Sequence, residues 1–230
     1  METSLRYGFS RLGTRSTAGL QRLLVISVWV FGASGYAFSQ RALSVLLPPP
    51  ALTVVVDNYS RASTADLLRA EREADRIFGR AGLGVMWLNC SSGQRTVDTQ
   101  QSCHRPIEVT DVRLRILPAP VVNKFQNTVF GFVIHPVLAS VYYESALRLA
   151  KIDDAEFELP IILGSAIVHE IGHLLLGPNN HSADGIMRPK WERKQVEQAR
   201  WGSLLFTSEQ SKVLRAEVQR RTLTSTAGLP

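Results

Sequence analysis

The sequence predicts an α+β domain: a twisted mixed β-sheet with a crossover helix, a buried helix and a C-terminal helix. Three patterns carry that expectation. Strand, helix and strand follow one another between Leu52 and Leu88, apolar and basic residues alternate from Asp111 to Leu117, and a helix-length run that is almost wholly apolar follows Pro160.

Composition sets the bounds. The chain has 230 residues, 45% hydrophobic and 20% charged, enough for one domain with a core of its own. The net charge is +6, and half of that excess lies in the first 39 residues, where Arg6, Arg11, Arg15 and Arg22 face Glu2 alone. No basic stripe with interleaved aromatics follows, so a nucleic-acid partner is not expected.

The first 39 residues read as a leader. The arginines precede the apolar run Leu23–Ser39, which drifts into small residues and sets Ala37 and Ser39 before a cut at Gln40. The run is shorter than the roughly 20 residues a spanning helix needs. A secretory signal peptide is the reading; an uncleaved N-terminal anchor or a buried helix is the alternative. A signal peptide or an anchor places the rest of the chain outside the cytoplasm, secreted or periplasmic, with a membrane partner only if the leader is retained. Residues 40–50, ending in Leu47–Pro50, form a stiff linker, and 51–230 form a single domain, expected to be monomeric.

Along that domain, "LTVVVDNY" (Leu52–Tyr59) is apolar and β-branched and ends at turn-forming residues, as a buried strand does. Ser63 and Asp66 stand three apart, a helix cap. Leu67, Ala70, Ala74, Ile77 and Phe78 then keep helical spacing until "GRAG", Gly79 to Gly82, stops the helix. Leu83–Leu88 reads as a second strand, parallel to the first because a helix connects them. Cys90 and Cys103 enclose a polar, turn-rich segment; in an oxidising compartment they close a loop, stabilising by about 3 kcal/mol on the loop-entropy account, and otherwise they are two free thiols. Val112, Leu114 and Ile116 alternate with Arg113 and Arg115, a half-buried strand. "TVFGFVIHP" and "ASVYYESA" add strands or strand ends. His104, His135, Tyr142 and Tyr143 read first as surface or packing residues; a substrate or oxyanion contact from His135 or the tyrosines is the sharper alternative. At the end, Thr207 and Gln210 form a capping box, with Val213, Leu214 and Val218 facing the core.

The chemistry lies between. Pro160 suits a first helical turn, and "IILGSAIVHEIGHLLLG" is apolar apart from Ser165, His169, Glu170 and His173. A helix apolar on nearly every side is buried, and burying two imidazoles and a carboxylate is costly unless each has a partner. His169 and His173 stand four apart on one face, so both neutral rings can reach one Zn²⁺. Glu170 projects beside the ion, placed to take a proton from water. A structural pair of core histidines is the plain alternative. One helix face cannot supply a third ligand at a suitable angle, so the chain has to turn back. Gly177 can end the helix in a left-handed conformation, Pro178 prevents its continuation, and His181 follows from the loop. Gly185–Met187 then turns beneath the site.

"HEIGHLLLG…H…GIM" resembles the metzincin clan of zinc endopeptidases, most closely the matrixin branch, over about 20 residues. The resemblance implies a zincin-like fold, His169, His173 and His181 as zinc ligands, Glu170 as general base, and Met187 as the Met-turn methionine below the metal. It implies a protein or peptide substrate lying as an added strand on the sheet edge, near "FGFVIHP" and "ASVYYESA". Two departures stand out. The clan pattern His-Glu-x-x-His-x-x-Gly-x-x-His is two residues shorter than His169–His181, and the clan has more than five residues between its third histidine and methionine. Glu192 or Glu197, on a charged helix, is therefore the alternative third ligand. The expected activity is zinc-dependent peptide hydrolysis; the alternatives are an exported zinc-binding protein without hydrolytic activity and an interaction protein with no metal.

Overall fold

A computed structural model describes residues 48–90, 103–119, 130–153, 158–178 and 180–227. The leader expected over 1–39 lies outside them, as does the linker up to residue 47.

Among the described residues the order is β1 (Ala51–Asn58), α1 (Thr64–Ala81), β2 (Gly84–Asn89), β3 (Asp111–Leu117), β4 (Gly131–Ile134), β5 (Leu138–Tyr142), α2 (Tyr143–Ala150), a 3-10 turn, α3 (Leu159–Leu176), α4 (Arg193–Arg200) and α5 (Ser208–Ala227). The strands form one mixed sheet in the order β2-β1-β3-β5-β4. β1 runs parallel to β2 and β3, and β3 parallel to β5; β4 alone is antiparallel and forms one edge. The fold is therefore α+β, as expected, and β1 and β2 are the parallel strands that α1 connects.

Alternation explains the sheet's buried face. Leu52, Val54, Val56, Val112, Leu114, Ile116, Ala139 and Val141 all belong to the core, with at most 1% exposure. Burying each Leu, Ile or Val here is worth about 1.5–3 kcal/mol. On the opposite face Asp57 pairs with Arg113 at 2.7 Å. α1 begins where expected: the Ser63 hydroxyl accepts from the Asp66 amide at 3.0 Å, and Leu67, Ala70, Ala74, Ile77 and Phe78 are all buried. It also stops where expected, within Gly79–Gly82. The helix runs through Gly79 to Ala81, and Gly82, at φ 81° and ψ 30°, caps it in the left-handed conformation.

One boundary and one core assignment differ from expectation. "ASVYYESA" splits, with β5 ending at Tyr142 and the next eight residues forming α2, whose Ala146 and Ala150 bury at i,i+4 spacing. In α5 the Thr207–Gln210 capping box forms in both directions, and Leu214 and Val218 are fully buried. Val213, however, is 49% exposed, because one residue turns it about 100° from the core-facing stripe.

α3 crosses the centre of the domain. Its mean hydropathy of 1.7 would suit a membrane span, but 89% of it is buried inside the protein, so it is the core helix. Pro160 sits in its first turn. Gly164 lets α3 press against α1: a Cβ there would lie 2.4 Å from the Ala70 carbonyl oxygen. α3 also lies under β4 and β5. Cys90 and Cys103 are joined as a disulfide, which fits an oxidising, exported environment.

Candidate metal centre

Three histidines meet at the end of α3. His169 and His173 project from the helix, and the chain past its end returns His181 to them; one ring nitrogen from each lies within 4.8 Å of the others. The Nε2 atoms of His169 and His173 are 3.2 Å apart. Two nitrogens bound to one tetrahedral ion at about 2.0–2.1 Å stand about 3.3 Å apart, so this pair already has the spacing of ligands.

The protein also fixes which nitrogens point inward. His169 Nδ1 lies 2.7 Å from the Ile186 carbonyl oxygen and donates to it, which leaves Nε2 free toward His173. Burial pushes the pKa of His169 down to about 3. It pushes His173 down to about 4, helped by the charges of His181 and His135, and it lowers His181 as well. All three are thus neutral at ordinary pH, the form that binds metal. Neutral imidazoles suit zinc, copper, iron or nickel better than magnesium or calcium, which take oxygen ligands.

The turn that presents His181 follows from its residues. Gly177 adopts φ 96° and ψ 165°, a positive φ that favours glycine, although ψ is extended and not in the left-handed helical well expected. Asn180 Nδ2 donates to the Leu176 carbonyl and ties the loop to the helix end. The Ser182 amide donates to Met187 O at 3.0 Å and the Ile186 amide to Leu205 O at 2.9 Å. Met187 is fully buried beneath the helix, so close to Gly172 that a Cβ there would lie 2.6 Å from its sulfur.

Glu170 is 4% exposed and lies against edge strand β4. A Cβ on Gly131 would come within 3.0 Å of its carboxyl carbon, so glycine makes the room the carboxylate occupies. Burial pushes its pKa up to about 8, which makes it a stronger base; a cation held by the histidines would draw that value back down. A cleft of about 270 Å³ runs between β4 and the three histidines, with Glu170 on its wall and Pro178 and Pro189 at its margins.

The expected alternative ligands lie elsewhere. Glu192 caps α4 together with Gln195 and pairs with Lys190 at 3.0 Å, and Glu197 is exposed on the same helix. Tyr142 and Tyr143 do not line the cleft. Burial and the charge of Glu170 raise Tyr142, whereas Tyr143 responds to burial and then to Asp66 and Glu144. His104 and His135 are exposed outside the cluster. Phe130 and Trp191 escaped notice in the sequence. Their ring centroids lie 4.4 Å apart with the planes tilted by 46°, and each packs edge-on against the His169 ring, at 5.2 and 5.8 Å. No periodic pattern marks either residue, so nothing in the sequence pointed to them.

No protein-family model matches the chain, and no curated protein matches it in sequence.

Proposed function

We propose that the chain is an exported zinc-dependent endopeptidase with a zincin-like fold and a metzincin-like site. The observation that carries this reading is the meeting of His169, His173 and His181 beside the buried Glu170, on the floor of a cleft roofed by β4. A histidine cluster that served structure alone would need no buried carboxylate at its open side.

Three protein ligands leave a coordination position open, where bound zinc supplies Lewis acidity that polarises a carbonyl and acidifies water. β4 pairs only with β5 among the described strands, so its other side offers backbone donors and acceptors to an extended peptide. Glu170 accepts a proton from the attacking water as the new C–O bond forms. It then delivers that proton to the amide nitrogen as the C–N bond breaks. The Ile186 carbonyl holds His169 in the tautomer that keeps Nε2 available. Phe130 and Trp191 exclude water behind that ring and so strengthen every charge interaction at the site.

Metal analysis of the purified protein, together with casein or peptide turnover, tests this reading. Wild type is expected to hold one zinc and to hydrolyse peptide; Glu170→Gln keeps the zinc and loses at least about 100-fold in turnover. Zinc without turnover would make the chain a metal-binding protein that is not a peptidase. No zinc at all would end the metal-centre reading.

A further inference from the structure

Pro178 leaves a gap that a distant arginine fills. In an unbroken helix the Leu174 carbonyl would accept from the amide four residues on, but that residue is Pro178, which has no N–H. Leu174 is 2% exposed, so its oxygen is poorly placed to use water instead. Arg221 on α5 supplies the donor: its Nη2 lies 3.0 Å from Leu174 O. The same guanidinium reaches Pro136 O in the β4–β5 turn through Nη1 at 3.3 Å, and its Nε donates to Glu217 at 2.8 Å. Arg221 is 3% exposed, and each of its three nitrogens donates a bond, so that the fork links three elements. It also sets a positive charge at the C-terminal end of α3, where the helix dipole favours one.

The two backbone contacts matter because of their places. Leu174 follows His173 directly and precedes the loop that carries His181, and Pro136 is the middle residue of the turn out of β4, the roof of the cleft. We propose that Arg221 is a positioning residue for the metal centre: it holds the end of α3, and with it His173 and the start of the His181 loop, in register with β4. This rests on the metal-centre reading above.

The test measures zinc affinity of the full chain by competition with a chromophoric chelator, and the visible absorption of the Co²⁺ form. Arg221→Met keeps the apolar stem and removes the three bonds. It is expected to weaken zinc binding about 10-fold and to shift the Co²⁺ bands, with Arg221→Lys recovering part of both. Leu214→Ala, in the buried stripe of the same helix, controls for lost stability: it lowers Tm and leaves affinity and spectrum within about twofold of wild type. If Arg221→Met does not fold, Arg221→Lys decides, with about threefold or greater weakening expected. Affinity and spectrum unchanged in the Arg221 variants, or changed equally in Leu214→Ala, overturn the proposal while leaving the metal centre intact. Wild type that binds no zinc overturns both.

Discussion

His169 Nδ1 and the carbonyl oxygen of Ile186 lie 2.7 Å apart, across 17 residues of chain. Ile186 is also the residue before Met187, whose side chain fills the space under Gly172. One short turn therefore does two things: its backbone orients the first imidazole, and its methionine supports the helix that carries the ring. The geometry of the histidine cluster and core packing are coupled at this turn, so a packing change below α3 should be felt above it.

Gly172→Ala tests that coupling. The added methyl would meet Met187 Sδ at 2.6 Å and Phe206 Cε1 at 3.2 Å, inside a core with no exposure at Met187. Overpacking of this kind costs about 1–3 kcal/mol. Thermal unfolding should show a lower Tm, and zinc affinity should fall with it as Met187 and Ile186 shift. A Gly172→Ala variant with wild-type Tm and affinity would show that the turn moves without consequence.

Two single substitutions separate the possible third ligands. His181→Ala removes one of the three converging nitrogens and should cost at least about 100-fold in zinc affinity, because two protein ligands remain. Glu192→Ala should leave zinc content unchanged and lower Tm only slightly, since Glu192 caps α4 and pairs with Lys190 in solvent. Equal zinc loss in both variants would mean that the ligand set is different from the one the histidines form.

The split between what was legible in the sequence and what was not follows from distance along the chain. Local pattern made four elements legible: alternation marked β3 and i,i+4 spacing marked α1, where one face is buried, while unbroken apolar runs marked β1 and α3. His169 and His173 were legible for the same reason, being one helical turn apart. His181 was legible because Gly177 and Pro178 have strong local preferences. The end of β5 was missed because Tyr142 and Tyr143 suit a strand as well as a helix start, and only packing of Ala146 and Ala150 decides. Strand order, the Phe130–Trp191 wall and the Arg221–Leu174 bond depend on residues far apart in the chain meeting in space, and no short-range pattern records such a meeting.

The contribution of Glu71 to stability should fall as pH rises toward neutrality. Burial pushes its carboxyl up to about 7, only partly offset by the Asn89 amide at 3.3 Å. Glu71 Oε1 and Asn89 Oδ1 are both buried without a hydrogen-bond partner, so the charged form is poorly compensated. The folded pKa lies above the ordinary carboxylate value of 4.5, so the folded state holds a proton that the unfolded chain releases. The favourable contribution is complete below about pH 4.5 and is lost as pH climbs to about 7. Glu71→Gln should therefore match wild type in acid and exceed it by about 2 kcal/mol above about pH 7, measured by urea unfolding across the range. A difference that does not change with pH would mean that Glu71 stays ionised in the folded protein.

Gly131→Ala should damage the cleft without touching a ligand. Gly131 pairs with Val141 in the β4–β5 ladder, and a Cβ there would lie 1.8 Å from Ser140 O and 3.0 Å from the carboxyl carbon of Glu170. The first clash is with backbone and cannot be relieved by a rotamer, so β4 must move away from β5. Since β4 roofs the cleft, that movement takes the edge available to a peptide away from Glu170 and the histidines. Zinc affinity should stay within about threefold of wild type, because no ligand moves directly, while peptide turnover falls at least about 100-fold. Loss of zinc alongside turnover would place Gly131 in the support of the metal centre, and full turnover would show that β4 does not carry the substrate.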